Sequence, residues 1–430
     1  MKIYNYNSLT QKELTLIFKR SGINTNEIFS LVKPILNNVK NNGDKAVLRY
    51  AKKLDKLSGN SIIVLQKELD ASAKKLDAKT KSAIKTAAVN IEKFHSKKLP
   101  KAYSLNTMPG VKCWRKHLPI ENVGLYIPGG SAVLLSTMLM LGIPAKIAGC
   151  KRVVVASPIR GSEINPALAY AAKLCGIKEF YKVGGAHAVA MMAYGTESVK
   201  KVDKIFGPGN QFVTMAKSIV ANDHDGCSID MPAGPSEVLV LADETANAAF
   251  VAADLLAQAE HGTDSQVILL TTSDELAKNV VKEIKYQINA LPRKDLAEKS
   301  LEHSFVLLVP RMDDAVKLSN NYAPEHLIIN IKNADNILKN ISNAGSVFVG
   351  EYSPESVGDY ASGTNHSLPT YGYAKSFGGV SVESFMKPIT FQQLTKQGLK
   401  NISQTVIQLA ETEKLEAHAN AVRVRINNGY

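Results

Sequence analysis

The chain has 430 residues, of which 45% are hydrophobic and 21% charged, and this length predicts two principal domains in a soluble globular protein. Its net charge of +13 comes from dispersed lysines without a basic block, so we expect a solvated surface and no nucleic-acid partner. No apolar run reaches the roughly 18–20 residues of a membrane span, the N-terminus lacks a signal-peptide plan and no cysteines lie at CxxC spacing, so we expect a cytoplasmic protein without membrane partners or disulfides.

The first hundred residues or so are predicted to be helical. Residues 28–39 and 68–94 carry apolar side chains at the 3.6-residue period of amphipathic helices. No residue of this region suggests chemistry, so we assign it to packing or to dimer contact. We expect residues 1–24 to form an N-terminal helical arm.

From residue 123 onward, short apolar strands alternate with helices and are joined by glycine-rich turns. This alternation is typical of parallel βαβ units. Because it repeats after Ser236, we predict an α/β fold with two related open, mostly parallel sheet domains. The predicted domains are residues 126–236 on one side and residues 25–125 with 237–380 on the other. The helical pattern returns near the end, and we expect a C-terminal helical arm over residues 381–430.

Three glycine turns follow strands of the first predicted sheet, at Gly129-Gly130, at Gly184-Gly185 and at residues 207–210. Backbone N–H groups at the start of a helix can bind a phosphate there, so three such turns favour a nucleotide crevice. The usual GxGxxG fingerprint is absent from the sequence, which makes the predicted fold an incomplete Rossmann-like one. Plain tight turns are the alternative.

Gln258 and His261 lie three positions apart near the end of a predicted helix and share one face. A side-chain carbonyl and an imidazole on one face can hold a metal ion. A histidine at a helix end can also do no more than interact favourably with the helix dipole. Spacing alone leaves both interpretations open.

Two further pairs could carry chemistry. Glu325 and His326 precede an apolar strand, where a carboxylate and an imidazole can move protons near neutral pH. Asp359 and His366 lie in a long stretch with little regular pattern, and long loops in compact domains are usually functional. An exposed charged turn and a solvated loop are the respective alternatives. His418, on a predicted tail helix, is by itself expected at the surface.

Seven stretches with unusual glycine, proline and polar content run in order along the chain. They are LYIPGG (125–130), VDKIFGPGN (202–210), AGPSEVLVLAD (233–243), DLLAQAEHG (254–262), NYAPEHL (321–327), GDYASGTNHSLP (358–369) and LEAHANAVR (415–423). In this combination the chain closely resembles the histidinol dehydrogenase family. The matching stretches extend from the first predicted sheet to the tail, so the resemblance is highly specific.

The resemblance implies a zinc-dependent homodimer that oxidises L-histidinol to L-histidine. The reaction would take two NAD-linked steps through an aldehyde held on the enzyme, at the end of histidine biosynthesis. The resemblance also implies that the C-terminal arm lies at the dimer interface and that His418 reaches into the partner's active site.

The family's functional residues map onto matching positions of this sequence. The implied zinc ligands are Gln258, His261, Asp359 and His418. The implied proton-moving pair is Glu325 and His326. The substrate contacts implied beside these are Ser236 and Glu413. The implied NAD contacts are Tyr126, His187 and Asn210.

Two points complicate the transfer of the family's residue roles to this sequence. The family usually has glutamine where this chain has His187, and an imidazole can replace only part of an amide's hydrogen bonding. Glu413 and His418 are five positions apart, which is about 140° around a straight helix. Both would reach one site only across an irregular helix, or they would serve two different sites.

Two functions of other classes remain as alternatives. A zinc hydrolase could use the same histidine, aspartate and glutamate set, with Glu325 activating water. The glycine turns argue against it, since a hydrolase needs no dinucleotide crevice. The other alternative is a basic binding protein without catalysis.

Overall fold

The structure is a computed structural model that describes residues 1–20, 25–97, 99–129, 134–159, 161 and 163–427. Gly130 of the first glycine turn lies outside the described residues. Within the described part of the chain, no helix is long and apolar enough to cross a membrane.

The strands fall into three sheets. In chain order they are β1 (Lys2–Asn5), β2 (Ile63–Val64), β3 (Tyr103–Met108), β4 (Val111–Pro119), β5 (Asn122–Tyr126), β6 (Arg152–Ala156), β7 (Glu179–Tyr181), β8 (Lys204–Phe206), β9 (Ser228–Ile229), β10 (Glu237–Ala242), β11 (Gln266–Thr271), β12 (Phe305–Leu308), β13 (His326–Asn330), β14 (Ser346–Val349) and β15 (Met386–Leu394).

Helices cover the sheets and form the two ends of the chain. In chain order they are α1 (Gln11–Ile17), α2 (Thr25–Tyr50), α3 (Gln66–Lys74), α4 (Ala78–Ser96), α5 (Leu135–Ala148), α6 (Pro166–Leu174), α7 (Gly185–Tyr194), α8 (Gln211–Ala221), α9 (Ala248–Ala259), α10 (Asp274–Gln287), α11 (Lys294–Glu302), α12 (Met312–Tyr322), α13 (Asp335–Leu338), α14 (Glu355–Tyr360), α15 (Lys396–Thr412) and α16 (Glu416–Asn427).

Two six-stranded sheets share one topology. The first has the order β2-β7-β6-β5-β8-β9 and the second the order β1-β12-β11-β10-β13-β14. Apart from β2, which is antiparallel to β7, all their strands pair in parallel. In each sheet five strands follow the order third, second, first, fourth, fifth, which is that of a doubly wound fold. The prediction of two related, mostly parallel sheet domains is confirmed.

Both faces of the second sheet are buried. Along β10, Val238 and Val240 belong to one apolar cluster, whereas Leu239 and Leu241 belong to another on the opposite face. This follows from the period of two residues in a strand and the helices that crossover connections place on both faces. The sheet is therefore a rigid frame, and its accessible chemistry lies at the strand ends.

The ends of the chain contain strands that the helical patterns did not predict. In the N-terminal segment, β1 pairs with β12 at the edge of the second sheet. In the C-terminal arm, β15 pairs with β4 in an antiparallel sheet that also holds β3. The helices α1, α15 and α16 do form in these segments. The strands β1 and β15 were missed because they are largely exposed and lack the apolar run of a buried strand.

Candidate active site

The predicted proton-moving pair lies at the amino edge of the second sheet. His326 is the first residue of β13 and Glu325 precedes it. Both are buried, with exposed fractions of 3% for His326 and 8% for Glu325. Because His326 is in register with Val238 of β10, the pair lies beside the residues that open β10.

The main chain of Glu237 holds both members of the pair. Its N–H donates to Glu325 Oε2 at 2.9 Å. Its carbonyl oxygen lies 3.2 Å from His326 Nδ1, to which Nδ1 donates when it carries a proton. His326 Nε2 is buried without a hydrogen-bond partner among the described residues and lies 3.5 Å from Asp359 Oδ1.

Gln258 approaches the pair from the carboxyl end of α9. Its Nε2 lies 3.1 Å from His326 Nδ1, to which it donates when Nδ1 is unprotonated. The same Nε2 lies 3.4 Å from Glu325 Oε2 and 3.4 Å from the carbonyl oxygen of Glu237. Its Oε1 is buried and, within the described chain, has no hydrogen-bond partner. His261 follows just beyond the helix and is exposed. The predicted alignment of these two residues along one helix face therefore holds only through the turn that ends α9.

A short helix, α14, brings two more carboxylates to the cluster. Glu355 and Asp359 lie four positions apart, so both face His326. Asp359 Oδ1 is 3.5 Å from His326 Nε2, and Glu355 Oε1 is 3.9 Å from His326 Nδ1. The sequence prediction of an irregular loop was wrong over these six residues.

These side chains fit a divalent metal ion. Ligand atoms of His261, Glu355 and Asp359 lie within 4.8 Å of one another. Among the described residues, Gln258 Oε1, Asp359 Oδ1 and Glu355 Oε2 are buried without hydrogen-bond partners. Buried acceptors without a donor are costly, and a cation among them would satisfy several at once. Imidazole and carboxylate ligands suit zinc.

The side chains of the cluster have displaced pKa values, raised for Glu325, Glu355 and His326 and lowered for Asp359 and His261. Burial raises the pKa of Glu325 to about 8 and that of Glu355 to about 8. Burial disfavours the charged form of His326, but the carboxylates of Glu355 and Glu325 outweigh it and raise the pKa of the imidazole. Such displaced pKa values in a group of facing acids and bases are typical of proton-transfer sites.

His366 supports the cluster from behind. Its Nδ1 lies 2.9 Å from the carbonyl oxygen of Asp359, and its Nε2 lies 3.1 Å from Thr137 Oγ1. Burial lowers the pKa of His366. The imidazole therefore connects the end of α14 to α5 of the other domain.

The predicted nucleotide contacts lie at the carboxyl edge of the first sheet. Tyr126 ends β5, and its hydroxyl accepts a hydrogen bond from Gly185 N at 3.1 Å. Burial raises the pKa of Tyr126 to about 12. Asn210 caps α8, with Oδ1 accepting from the N–H groups of Phe212 and Val213. Its side chain is exposed, so its amide nitrogen remains available to donate.

The turn before Asn210 requires glycine and a buried ion pair. Gly207 has a φ of +121°, and a Cβ there would meet the carbonyl oxygen of Tyr126 at 2.1 Å. Lys217 Nζ lies 2.5 Å from Asp230 Oδ1 and donates to the Gly207 carbonyl at 2.8 Å. Asp230 Oδ2 accepts from Gly207 N at 2.8 Å. The backbone is thereby held in a form that a ligand can approach closely.

His187 does not line this edge. It is fully buried in α7, and its Nε2 lies 2.8 Å from Asp55 Oδ2, which also accepts from Gly184 N at 2.9 Å. The imidazole thus lies beneath the second glycine turn, where it and Asp55 fix the turn's shape.

Comparisons with known proteins identify the family of this chain. The chain matches the family model described as Histidinol dehydrogenase over residues 18–426. It is 50% identical over 428 residues to a histidinol dehydrogenase of Bacteroides thetaiotaomicron, covering 99% of each chain. The chain belongs to the histidinol dehydrogenase family. It is therefore an oxidoreductase, and the hydrolase and binding-protein alternatives are set aside.

Other histidinol dehydrogenases support the same assignment. One of Campylobacter jejuni is 50% identical over 429 residues, covering 100% of both chains. The crystal structure of the histidinol dehydrogenase from Elizabethkingia anophelis superposes with a TM-score of 0.94 at 48% identity. It covers 99% of this chain and 98% of that one. The similarity therefore extends over both sheet domains and both ends of the chain.

Two residues assigned from the histidinol dehydrogenase resemblance lie on the C-terminal arm, away from the cluster. Glu413 and His418 are exposed, and among the described residues the side chain of His418 has no hydrogen bond or ion pair. Lys414 has a φ of +60° and separates α15 from α16. The two side chains therefore do not share one straight helix.

Ser236 lies where the two domains meet. It is half-buried and precedes β10, and its carbonyl accepts from Gln266 N at 3.1 Å. It is next to Glu237, whose main chain contacts both Glu325 and His326.

Two residues of this site were not predicted from the sequence, Glu355 and Glu237. The spacing of Glu355 and Asp359 would have revealed the first, had α14 been recognised among its serine, glycine and proline neighbours. Glu237 acts mainly through its backbone, which leaves no signal in a single sequence.

Proposed function

We propose that the protein oxidises L-histidinol to L-histidine through L-histidinal, with zinc bound at the cluster and two NAD molecules accepting hydride in turn. The proposal extends the family assignment, and one observation carries it. A base nitrogen, His326 Nε2, faces buried acceptors without hydrogen-bond partners among the described residues. Such a site suits a metal-bound substrate that must lose protons.

Zinc would be held by Gln258, His261 and Asp359 of one subunit and by His418 of the other. When bound, it would orient the amine and imidazole nitrogens of the substrate, which are good ligands for this metal. Glu355 lies among the same ligand atoms, and we assign it to supporting the site through its position beside His326. Ser236 and Glu413 would contact the substrate.

In the first oxidation, His326 would take the hydroxyl proton at Nε2 as the carbon loses its hydride to the nicotinamide. The carbonyl of Glu237 would stabilise the resulting imidazolium by accepting from Nδ1. The products of this step are the aldehyde, a reduced nicotinamide and a protonated His326.

In the second oxidation, Glu325 would remove a proton from water as its oxygen adds to the aldehyde carbon. The protonated His326 would return its proton to the aldehyde oxygen in the same step, which gives the hydrate. The hydrate would then lose a second hydride to the second nicotinamide, with His326 again accepting the hydroxyl proton. A carboxyl group whose pKa burial has raised to about 8 is well matched to this exchange near neutral pH.

The nucleotide would bind at the carboxyl edge of the first sheet. Tyr126 and Asn210 would contact it, while His187 would contribute from beneath the Gly184-Gly185 turn. The N-terminus of α8 would face a phosphate, as at other helix starts after glycine turns. We further propose that the protein is a cytoplasmic homodimer whose C-terminal arm completes the partner's site.

The purified enzyme with zinc should form about two NADH per L-histidinol consumed, because alcohol and acid differ by two hydride transfers. Absorbance of NADH measured against histidine formed gives this ratio. One NADH with accumulating aldehyde would contradict the second step, and no NADH would contradict the proposed function itself.

Replacing His261 by asparagine should remove zinc and activity together. Outer partners alone often change metal affinity 10- to 100-fold, and loss of a ligand should cost at least as much. Elemental analysis after gel filtration measures the zinc, with His224→Asn as the matched control because His224 is fully exposed and lies outside the site. Full zinc occupancy in His261→Asn would refute its role as a ligand.

A further inference from the structure

Arg20 connects the N-terminal segment to the catalytic sheet. Its Nε lies 2.5 Å from Glu237 Oε1 and its Nη2 lies 2.9 Å from Glu237 Oε2. This is the two-point geometry in which a guanidinium fixes a carboxylate most firmly. Arg20 belongs to none of the seven family stretches, and nothing in its sequence neighbourhood suggests a role.

Arg20 also holds the chain that leads to the catalytic pair. Its Nη2 donates to the carbonyl of Tyr322 at 2.8 Å, and the guanidinium lies 3.8 Å from the centre of the Tyr322 ring. Tyr322 ends α12, and Ala323 follows with a φ of +54°. The Arg20 side chain therefore binds β10 through Glu237 and the turn before Glu325 through Tyr322.

The carboxylate of Glu237 also contacts a third segment, the turn at Tyr371. The side chain is 3% exposed, and its Oε1 accepts from Tyr371 N at 2.8 Å. Tyr371 has a φ of +55°, which a residue with a side chain adopts only when its surroundings hold it there. The neighbouring Thr370 Oγ1 accepts from Gly234 N at 2.5 Å, so the turn also positions the loop that carries Ser236.

We propose that Arg20 is a positioning residue for catalysis, which acts through Glu237 to hold Glu325 and His326 in their working orientation. The side chain of Glu237 is fixed by Arg20, and the main chain of Glu237 in turn bonds both catalytic groups. This inference rests on the proposed function of the pair. Small displacements of such groups reduce rates strongly, because proton transfer requires hydrogen-bond distances.

A second arginine–glutamate pair provides a control: the Arg152 side chain is 17% exposed, close to the 18% of Arg20, whereas its partner Glu179 is 36% exposed. Arg152 binds Glu179 with the same two-point geometry, at 2.8 Å for both contacts. It begins β6 at the amino edge of the first sheet, away from the catalytic cluster and from the glycine turns at the opposite edge. Loss of this pair should therefore test stability without disturbing the site.

The experiment compares Arg20→Met with Arg152→Met in the full-length, zinc-loaded enzyme. We expect Arg20→Met to lower kcat for L-histidinol by about 10- to 100-fold, as loss of a residue that orients metal-site groups usually does. The KM for NAD and the zinc content should not change. Arg152→Met should keep its kcat. Equal kcat in both variants would overturn the proposal.

Two further outcomes are possible: Arg20→Met does not fold, or the parent enzyme is inactive. If Arg20→Met does not fold, Arg20→Lys is compared with Arg152→Lys; a lower kcat in Arg20→Lys alone supports the proposal, and equal values overturn it. A parent enzyme that forms no NADH from L-histidinol contradicts the proposed function instead. Because the parent is measured first, the two failures are distinguishable.

Discussion

Replacing Glu325 by glutamine is expected to separate the two oxidations. Glutamine keeps the shape of the side chain, and its carbonyl oxygen can still accept from Glu237 N, so the site should remain assembled. Without a carboxylate to take the proton from water, aldehyde oxidation should slow by about 10²–10⁴-fold, the usual range for a general base. Alcohol oxidation, which uses His326, should be retained to a much larger extent.

His326→Gln provides the opposite pattern. Since His326 Nε2 is the group placed to take the hydroxyl proton, this variant should lose alcohol oxidation. Rates of NADH formation from L-histidinol and from L-histidinal, measured separately for both variants, give the comparison. If Glu325→Gln lowers both rates by the same factor, the assignment of Glu325 to water activation is wrong.

Glu325→Gln should also change how the thermal stability of the metal-free protein depends on pH. Burial raises the pKa of Glu325 from 4.5 to about 8. Between these values the folded protein binds a proton that the unfolded chain releases, so this group destabilises the fold progressively as pH rises. The Tm of Glu325→Gln relative to the parent should therefore increase from pH 4.5 to about 8 and then level off. A constant difference would contradict the burial of a titrating carboxyl group.

Much of the fold could be predicted because its information is local. Apolar runs such as β10 and β11 are buried on both faces and alternate with helices at short spacing, which is the pattern of a parallel sheet. The peripheral strands β1 and β15 could not be recognised in this way. They are half-exposed, and each is defined by its partner strand rather than by its own residues.

The catalytic edge was not predictable from fold rules alone. Ligands in open α/β sheets usually bind at the carboxyl ends of the strands, and the glycine turns of the first sheet follow this rule. The proposed catalytic cluster lies at the opposite, amino edge of the second sheet, where β10 and β13 begin. Residue types predicted it, since a Glu-His pair suggests proton transfer wherever it lies.

The remaining parts of the site depend on contacts between distant segments. Arg20 and Glu237 are 217 positions apart, and Asp55 and His187 are 132 apart. A single sequence shows neither which partner a buried charge will find nor which backbone amide will meet a carboxylate. Such contacts decide the orientation of Glu325, His326 and the glycine turns.

The C-terminal arm gives the other large expected effect, because a single subunit leaves His418 away from the cluster. In one chain, α15 packs on α16 and on β15. Leu409, Leu415 and Val424 are exposed on this arm by 60%, 43% and 41%. Apolar side chains exposed together on a helical pair indicate a surface that another protein covers.

The His418→Asn homodimer should therefore be inactive. A mixed dimer of one His418→Asn subunit and one Glu325→Gln subunit should regain activity. If each site combines the sheet of one subunit with the arm of the other, the mixed dimer has one intact site and one doubly altered site. Random association of equal amounts should restore about a quarter of the parent's active sites. Co-expression of differently tagged subunits, followed by NADH formation from L-histidinal, measures the recovery.

The decisive comparison is a mixture of His261→Asn with Glu325→Gln. Both changes lie on the sheet side of the site, so every site in a mixed dimer keeps one of them and activity should not return. If activity recovers only in the mixture that contains His418→Asn, the arm acts across the dimer. An arm that served its own subunit would leave both sites of that mixed dimer defective. No recovery in either mixture, with mixed dimers shown by their tags, would place His418 in its own subunit's site. A fully active His418→Asn homodimer would place His418 outside catalysis.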